Sequence, residues 1–78
     1  MSAIIIDKEV DCIGMICPLP VLRTKKALSD MQTGKILKVI ANDPGAKHDI
    51  PMFAKQTGNT LIQSEIEDDT FIFYLEWR

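Results

Sequence analysis

Cys17 is the residue whose type and setting point most directly to covalent chemistry. It opens the string Cys17-Pro18-Leu19-Pro20. Proline suits the first position of an α-helix, because its missing N–H would have no partner there. A helix N-terminus carries about half a positive charge and lowers the pKa of a thiol placed beside it. We therefore predict that Cys17 is a nucleophilic thiolate able to hold a transferable sulfur atom; the alternative is a small buried apolar residue.

The prolines decide which backbone groups face this thiol. Pro18 and Pro20 have no N–H, so among the first helical positions Leu19 and Val21 are the predicted donors to the Cys17 thiolate or persulfide. The stiff Pro-x-Pro turn also limits the backbone entropy lost when a partner docks.

An apolar collar and a basic helix face are predicted around this site. Leu19, Met15 and Ile16 are expected to surround the motif for a docking protein, extended by Met52 from the second helix. Arg23, Lys25 and Lys26 follow along the first helix. Lys25 and Lys26 lie about 12 Å beyond Cys17 at 1.5 Å per residue, so they are expected to guide a partner or an anion.

Cys12 precedes Cys17 by five residues, which is not the Cys-x-x-Cys redox spacing. A buried residue at a strand end is the favoured interpretation, and a second thiol that resolves Cys17 is the alternative. His48 is expected on a helix surface rather than as a catalytic base. Two cysteines and one histidine do not supply four ligands for structural zinc, so no metal is predicted.

Hydrophobic periodicity predicts the elements that position these residues. A strand is expected over about 3–11, a helix over about 18–32 with Gly34 as its left-handed stop, and a strand over 36–41. A turn over 42–45 precedes a second helix, in which Asp43 is a cap and Pro44 begins a helical turn. Pro51 is expected to mark a kink, or a short turn before a helix capped by Asp49. Residues 60–67 and 70–77 form a hairpin.

The resulting order is β-α-β-α-β-β. Right-handed crossovers make the first three strands parallel and place both helices on one face of the sheet. The expected fold is an α/β (α+β) two-layer sandwich with a four-stranded mixed sheet. The opposite sheet face, with Tyr74, Ile72 and Ile62, is a candidate partner or homodimer surface.

Size and charge limit the classes of function. The 78 residues predict one domain, 1–78, and 46% hydrophobic content argues against disorder. No stretch is long and apolar enough to span a membrane, and the N-terminus has no basic leader, so a cytoplasmic location is expected. The net charge of −2 opposes nucleic-acid binding, although the segment 17–60 is basic and suits an acidic partner or a small anion.

These residues resemble the TusA/SirA-like sulfur-carrier family along essentially the whole chain. The resemblance rests on Cys-Pro-x-Pro at the start of the first helix, with basic residues two turns later and a closing hairpin. Its further matches are Asp11, Gly14, Asn42-Asp43-Pro44 and Asp49-Ile50-Pro51.

The resemblance implies a sandwich like the C-terminal domain of the bacterial translation initiation factor, and Cys17 as the carrier cysteine without any cofactor. Family members accept sulfane sulfur from a desulfurase, a rhodanese or a small donor. They pass it toward tRNA thiolation, cofactor synthesis or sulfur oxidation. A YeeD-like branch works with a membrane thiosulfate transporter. Leu19 stands where tRNA-thiolation carriers can have an acidic residue, whereas the YeeD-like branch tolerates an apolar residue there and has a lysine at the position of Lys25.

Two hypotheses compete with the sulfur carrier. One is a thiol-disulfide switch between Cys12 and Cys17. The other is an RNA-binding module, suggested by fold analogy alone and opposed by the acidic charge balance.

Overall fold

The computed structural model describes residues 6–16 and 19–77, and the elements follow the predicted order. They are β1 (Lys8–Cys12), α1 (Leu19–Ser29), β2 (Ile36–Ala41), α2 (Pro44–Thr57), β3 (Thr60–Glu67) and β4 (Thr70–Glu76). The four strands form one sheet in the order β1-β2-β4-β3. β1 and β2 are parallel, and β4 is antiparallel to both β2 and β3. The predicted mixed sheet is confirmed.

The core lies between the helices and one face of the sheet. α1 packs on β1 and β2, whereas α2 packs on β3 and β4. Alternate residues of each strand point into this layer, because successive side chains of a strand face opposite sides. The largest buried apolar side chains there include Leu28, Leu37, Ile50, Phe73 and Leu75. The predicted arrangement with both helices on one face is therefore confirmed.

Neither helix of the described residues covers the other sheet face. Ile40 pairs with Ile72 and Lys38 with Tyr74 across β2 and β4 on this side. Ile72 is buried and Tyr74 is half-buried. Neighbouring side chains of the sheet therefore shield part of this face from solvent. Ile62 lies at a β-bulge between Leu61 and Gln63, so simple alternation does not decide its side.

The first strand starts later than predicted. Its predicted residues 3–5 lie outside the described part of the chain, and β1 begins at Lys8 rather than at Ile6 or Asp7. The Asp7 amide donates to the Ile36 carbonyl (2.9 Å), while the Asp7 carboxylate accepts from the Ile36 N–H (2.8 Å). The Asp7 carboxylate thus takes the place of a backbone carbonyl as acceptor for the Ile36 N–H, and the β1–β2 pairing ends there.

The first helix ends earlier than predicted. α1 stops at Ser29, and the Met31 amide donates to the Leu28 carbonyl, three residues back, at 2.9 Å. Such tighter bonds commonly close a last turn. Gly34 does adopt a left-handed conformation, with φ of 88°. Its amide donates to the Trp77 carbonyl at 2.8 Å, so it belongs to the turn before β2 and is not the helix stop.

The second helix is continuous. Asp43 is the N-cap, with its carboxylate accepting from the Gly45 N–H at 3.0 Å, and Pro44 follows at the first position. Gly58 ends the helix with φ of 78°. The alternative of a short turn before a helix capped by Asp49 is wrong, because the cap at Asp43 starts the helix and Pro51 is accommodated inside it. An interior proline removes one helical hydrogen bond, which packing of the neighbouring Ile50 offsets.

Candidate functional site

The loop between β1 and α1 is held by a set of local hydrogen bonds. The Ile13 N–H donates to Asp11 Oδ1 at 2.9 Å, and the Met15 N–H donates to the Cys12 carbonyl at 3.1 Å. Gly14 adopts φ of 85°, a conformation that side chains with a Cβ rarely take. The loop therefore turns sharply as soon as β1 ends and leads the chain toward the start of α1.

Asn42 ties this loop to the neighbouring strand. Its Oδ1 accepts the Gly14 N–H at 2.9 Å, across 28 positions of sequence. Cys12 pairs with Ala41 at the end of the parallel β1–β2 ladder. Parallel strands end at the same edge, so the residues following them come together. Asn42 was predicted as a turn residue and as part of the family resemblance, without a contact to this loop; its place directly after the second of two parallel strands was the available signal.

The start of α1 is exposed on both sides of the predicted nucleophile. Ile16 is 71% exposed and Leu19 is 49% exposed, which confirms the predicted exposure of Leu19. Cys17 and Pro18 lie between them and outside the described residues. The described residues before and after this pair are thus at the protein surface.

Backbone bonds at this helix start differ from the prediction for Leu19. The Leu19 N–H donates to the Ile16 carbonyl at 3.0 Å. The prediction that this N–H is available to Cys17 is therefore wrong, because the Ile16 carbonyl already accepts it. Val21 as a donor stays a prediction. Pro20 is buried, and its carbonyl accepts the Thr24 hydroxyl at 2.7 Å, which pins the first turn against the core.

Large apolar side chains flank the motif along the chain. Ile16, Leu19 and Met52 are exposed, as predicted for the collar. Met15 instead packs against the core, so it is a support of the loop. Two exposed apolar residues were missed, Ile13 and Leu22. Four exposed apolar residues therefore lie within residues 13–22: Ile13, Ile16, Leu19 and Leu22.

The three basic residues of α1 are exposed but are not gathered at one point. Arg23 and Lys26 line an open groove of about 390 Å³ between α1 and β1. Lys25 instead borders a smaller apolar pocket of about 210 Å³ beside Phe53 and Trp77. Within the described part of the chain, the ion pairs are Lys8–Asp30, Lys35–Asp7 and Lys38–Glu9. These pairs involve none of the three α1 cations, although the carboxylates of Glu9, Asp11 and Asp30 line the same groove as Arg23 and Lys26.

Cys12 is a core residue. Its side chain is 0% exposed and belongs to the cluster beneath the helices. Burial raises the pKa of the Cys12 thiol above its ordinary value; the Arg23 charge opposes this rise and Asp11 adds to it. A buried protonated thiol is a poor nucleophile. The predicted buried strand-end residue is confirmed, and the structure disfavours Cys12 as a second reactive thiol.

The raised pKa of Cys12 predicts a loss of stability at alkaline pH. The unfolded chain releases this proton first, above a pH of about 8.5, so folding stability falls as pH rises toward the folded-state pKa. The slope from this group is at most about 1.4 kcal/mol per pH unit. Urea unfolding between about pH 8 and 10 is expected to show a smaller decline for Cys12→Ala than for the unsubstituted chain. Other titrating groups are common to both chains, so equal declines would contradict the prediction.

The remaining candidates contribute little to this site. His48 is an exposed residue of α2, as predicted. Across residues 6–16 and 19–77, no three His, Cys, Asp or Glu side chains are grouped as metal ligands would be. In the same described part of the chain, neither helix has the length and apolar character of a membrane span.

The fold and this loop define a small α+β domain that presents the start of its first helix at the carboxyl edge of a parallel strand pair. The family model described as Sulfurtransferase TusA matches residues 8–76. The chain belongs to this TusA family.

Individual relatives agree with the family match. The chain is 50% identical over 70 residues to the sulfur carrier protein TusA of Allochromatium vinosum. The aligned segment covers 90% of this chain and 92% of the relative. It is 37% identical over 70 residues to the sulfur carrier protein TusA of Pseudomonas syringae pv. syringae, and the aligned segment covers 90% of this chain and 83% of that relative. The crystal structure of a SirA-like protein from Desulfitobacterium hafniense matches with a TM-score of 0.74 and 25% identity, covering 88% and 95% of the two chains.

Proposed function

We propose that this protein is a sulfur carrier that holds sulfane sulfur as a persulfide on Cys17 and passes it to an acceptor protein. The observation that carries the proposal is the exposed start of α1 in a TusA-family chain: Ile16 and Leu19, the described neighbours of the motif, are both accessible. The names of the relatives, sulfur carrier proteins, support the same activity.

The proposed transfer is a pair of thiol exchange steps. The Cys17 thiolate attacks the terminal sulfur of a donor persulfide; the donor S–S bond breaks, and the donor leaves as a thiolate. With thiosulfate as donor, the leaving group is sulfite. In both cases Cys17 becomes Cys17–S–S⁻ with no net oxidation. An acceptor thiolate then attacks the terminal sulfur, forms the acceptor persulfide and releases the Cys17 thiolate. Covalent transfer of this kind needs no metal or organic cofactor.

The electrostatics of the helix start favour the anionic form at each stage. The N-terminal end of α1 carries partial positive charge, and the effect acts within the first turn. Since the Leu19 N–H is taken by Ile16, the proposal assigns backbone stabilisation to Val21 and to the helix dipole. Arg23, on the next turn, adds an exposed positive charge. Pro18 and Pro20 fix the backbone geometry beside the sulfur.

The surface around α1 suits a protein partner. Exposed apolar residues flank the motif, and cations follow along the helix. A donor or acceptor with an apolar recess and acidic neighbours would match both features. A cytoplasmic location, a homodimer through the uncovered sheet face and partnership with a thiosulfate transporter stay predictions.

Intact mass spectrometry tests the proposal. Purified protein is incubated with thiosulfate in one arm and with a cysteine desulfurase plus cysteine in the other. After incubation we expect the protein to have gained the mass of one sulfur atom. Treatment with dithiothreitol should then remove this added mass. Peptide mapping should place the added sulfur on Cys17. Loading in the thiosulfate arm alone would favour the YeeD-like interpretation. Absence of loading in both arms, on a protein whose thiols are shown to be reduced, would overturn the proposal.

The same experiment separates the competing hypothesis of a disulfide switch. A Cys12–Cys17 disulfide would lower the mass by two hydrogen atoms under oxidising glutathione. The complete burial of Cys12 in the core opposes this exchange, because an attacking thiol must be accessible.

A further inference from the structure

We propose that Asn42 is a positioning residue for Cys17 and acts through the backbone of Gly14. The inference rests on the proposed function, since Cys17 is the group being positioned. It assigns to the residue after β2 a role beyond forming a turn. The carrying observation is the hydrogen bond from the Gly14 N–H to Asn42 Oδ1, 2.9 Å long, which joins the β1–α1 loop to the edge of β2.

Asn42 directly follows a rigid strand, β2. The preceding residue, Ala41, is buried and paired with Cys12 in the parallel ladder. The following residue, Asp43, caps α2 through the Gly45 N–H at 3.0 Å. Because the Ala41 pairing fixes the backbone that leads into Asn42, this side chain branches from a defined place at the edge of β2, where its oxygen accepts the Gly14 N–H.

The loop depends on such bonds because packing holds little of it. Ile13, Gly14 and Ile16 are all exposed, and Met15 is the loop residue that packs on the core. Gly14 lies three residues before Cys17, so a change in its orientation is transmitted through few backbone dihedrals. The Asp11 bond to the Ile13 N–H shapes the loop locally, whereas the Asn42 bond orients it relative to the sheet.

Loss of the Asn42 acceptor is expected to make the β1–α1 loop more mobile. The benefit that a thiolate draws from a helix N-terminus falls off within one turn. A loop that samples several orientations would therefore hold Cys17 in the favourable position for a smaller fraction of time. The expected consequence is a raised pKa for Cys17 and slower sulfur uptake, with the fold retained.

The test compares three variants that differ in one feature at a time. Asn42→Ala removes the acceptor, and Asn42→Asp keeps an oxygen of the same reach. Asp43→Ala removes the neighbouring cap of α2 and leaves the Gly14 bond in place, so it is the matched control for lost stability. Assays in high salt screen the charge that Asn42→Asp introduces.

Two readouts report on Cys17 directly. The rate of its alkylation by iodoacetamide is followed against pH by peptide mass spectrometry, and the rate of sulfur uptake is followed by intact mass. For Asn42→Ala we expect a shift of the alkylation profile to higher pH and uptake slowed about 3- to 10-fold, the range that one net hydrogen bond corresponds to. Asn42→Asp is expected to stay within about 2-fold of the unsubstituted chain on the same scale. Asp43→Ala should leave the profile unchanged although its thermal stability falls.

The outcomes distinguish this inference from the proposed function. If the unsubstituted chain takes up no sulfur, the sulfur-carrier function fails. If it loads normally while Asn42→Ala shows the same profile and rate, the positioning role of Asn42 is overturned and the carrier function stands. The inference is also overturned if Asn42→Asp behaves like Asn42→Ala, or if Asp43→Ala shifts the profile equally.

Discussion

Cys17→Ser is expected to abolish sulfur loading from every donor. Serine has nearly the size of cysteine but presents a hydroxyl, which stays protonated at neutral pH and forms no persulfide. The variant should keep its fold, because the described residues on either side of position 17 are exposed rather than part of the core. Intact mass after incubation with thiosulfate or with a desulfurase should show no added sulfur, against one sulfur per chain without the substitution.

Cys12→Ala is the matched control for this prediction. Cys12 is the second cysteine of the chain and is 0% exposed, so its removal deletes a thiol without touching the surface. We expect one sulfur per chain to be loaded as before, together with a modest loss of stability from the small cavity. Loading that persists in Cys17→Ser and disappears in Cys12→Ala would reverse the assignment of the carrier cysteine.

Leu28→Ala is expected to cost about 2–5 kcal/mol in the free energy of unfolding. Leu28 is 1% exposed and lies in the contact between α1 and the sheet. Truncation loses its apolar burial and leaves a cavity that close-packed neighbours fill only partly. Since small domains are stable by about 5–15 kcal/mol in total, a large share of the stability would be lost. Urea unfolding followed by far-UV circular dichroism measures the change.

Leu22→Ala provides the same substitution on the exposed side of the same helix. Leu22 is 54% exposed, so its truncation should change the free energy of unfolding by no more than about 0.5 kcal/mol. If this side chain contributes to docking, transfer from a protein donor should slow while loading from thiosulfate stays unchanged. Equal destabilisation by the two substitutions would contradict the orientation of α1.

The pattern of the sequence determined the elements that local rules specify. The second strand and the hairpin were placed within a residue of their observed bounds, because alternation, turn residues and β-branched content all agree there. The cap at Asp43 followed from its position before Pro44. The chemical candidate, Cys17, also came from local context, and Cys12 was correctly assigned to the core.

Errors arose where the choice of hydrogen-bond partner decides an element end. β1 starts at Lys8 because the Asp7 side chain bonds Ile36, and α1 ends at Ser29 although its periodicity continues to Met31. The Leu19 N–H was predicted to face the thiol, but it is used by the Ile16 carbonyl. Competition among hydrogen-bond partners decided each of these cases, and composition alone does not rank such partners.

The sequence by itself determined the order of the elements and their buried faces, and it supplied the residue proposed to carry sulfur, since these follow from periodicity, proline chemistry and thiol reactivity within short windows. Only the tertiary structure decided that β4 lies between β2 and β3, that the α1 cations line separate grooves, and that Asn42 meets Gly14. The first two depend on how whole elements pack, and the third on the common edge at which parallel strands end; each brings together residues that no local pattern connects.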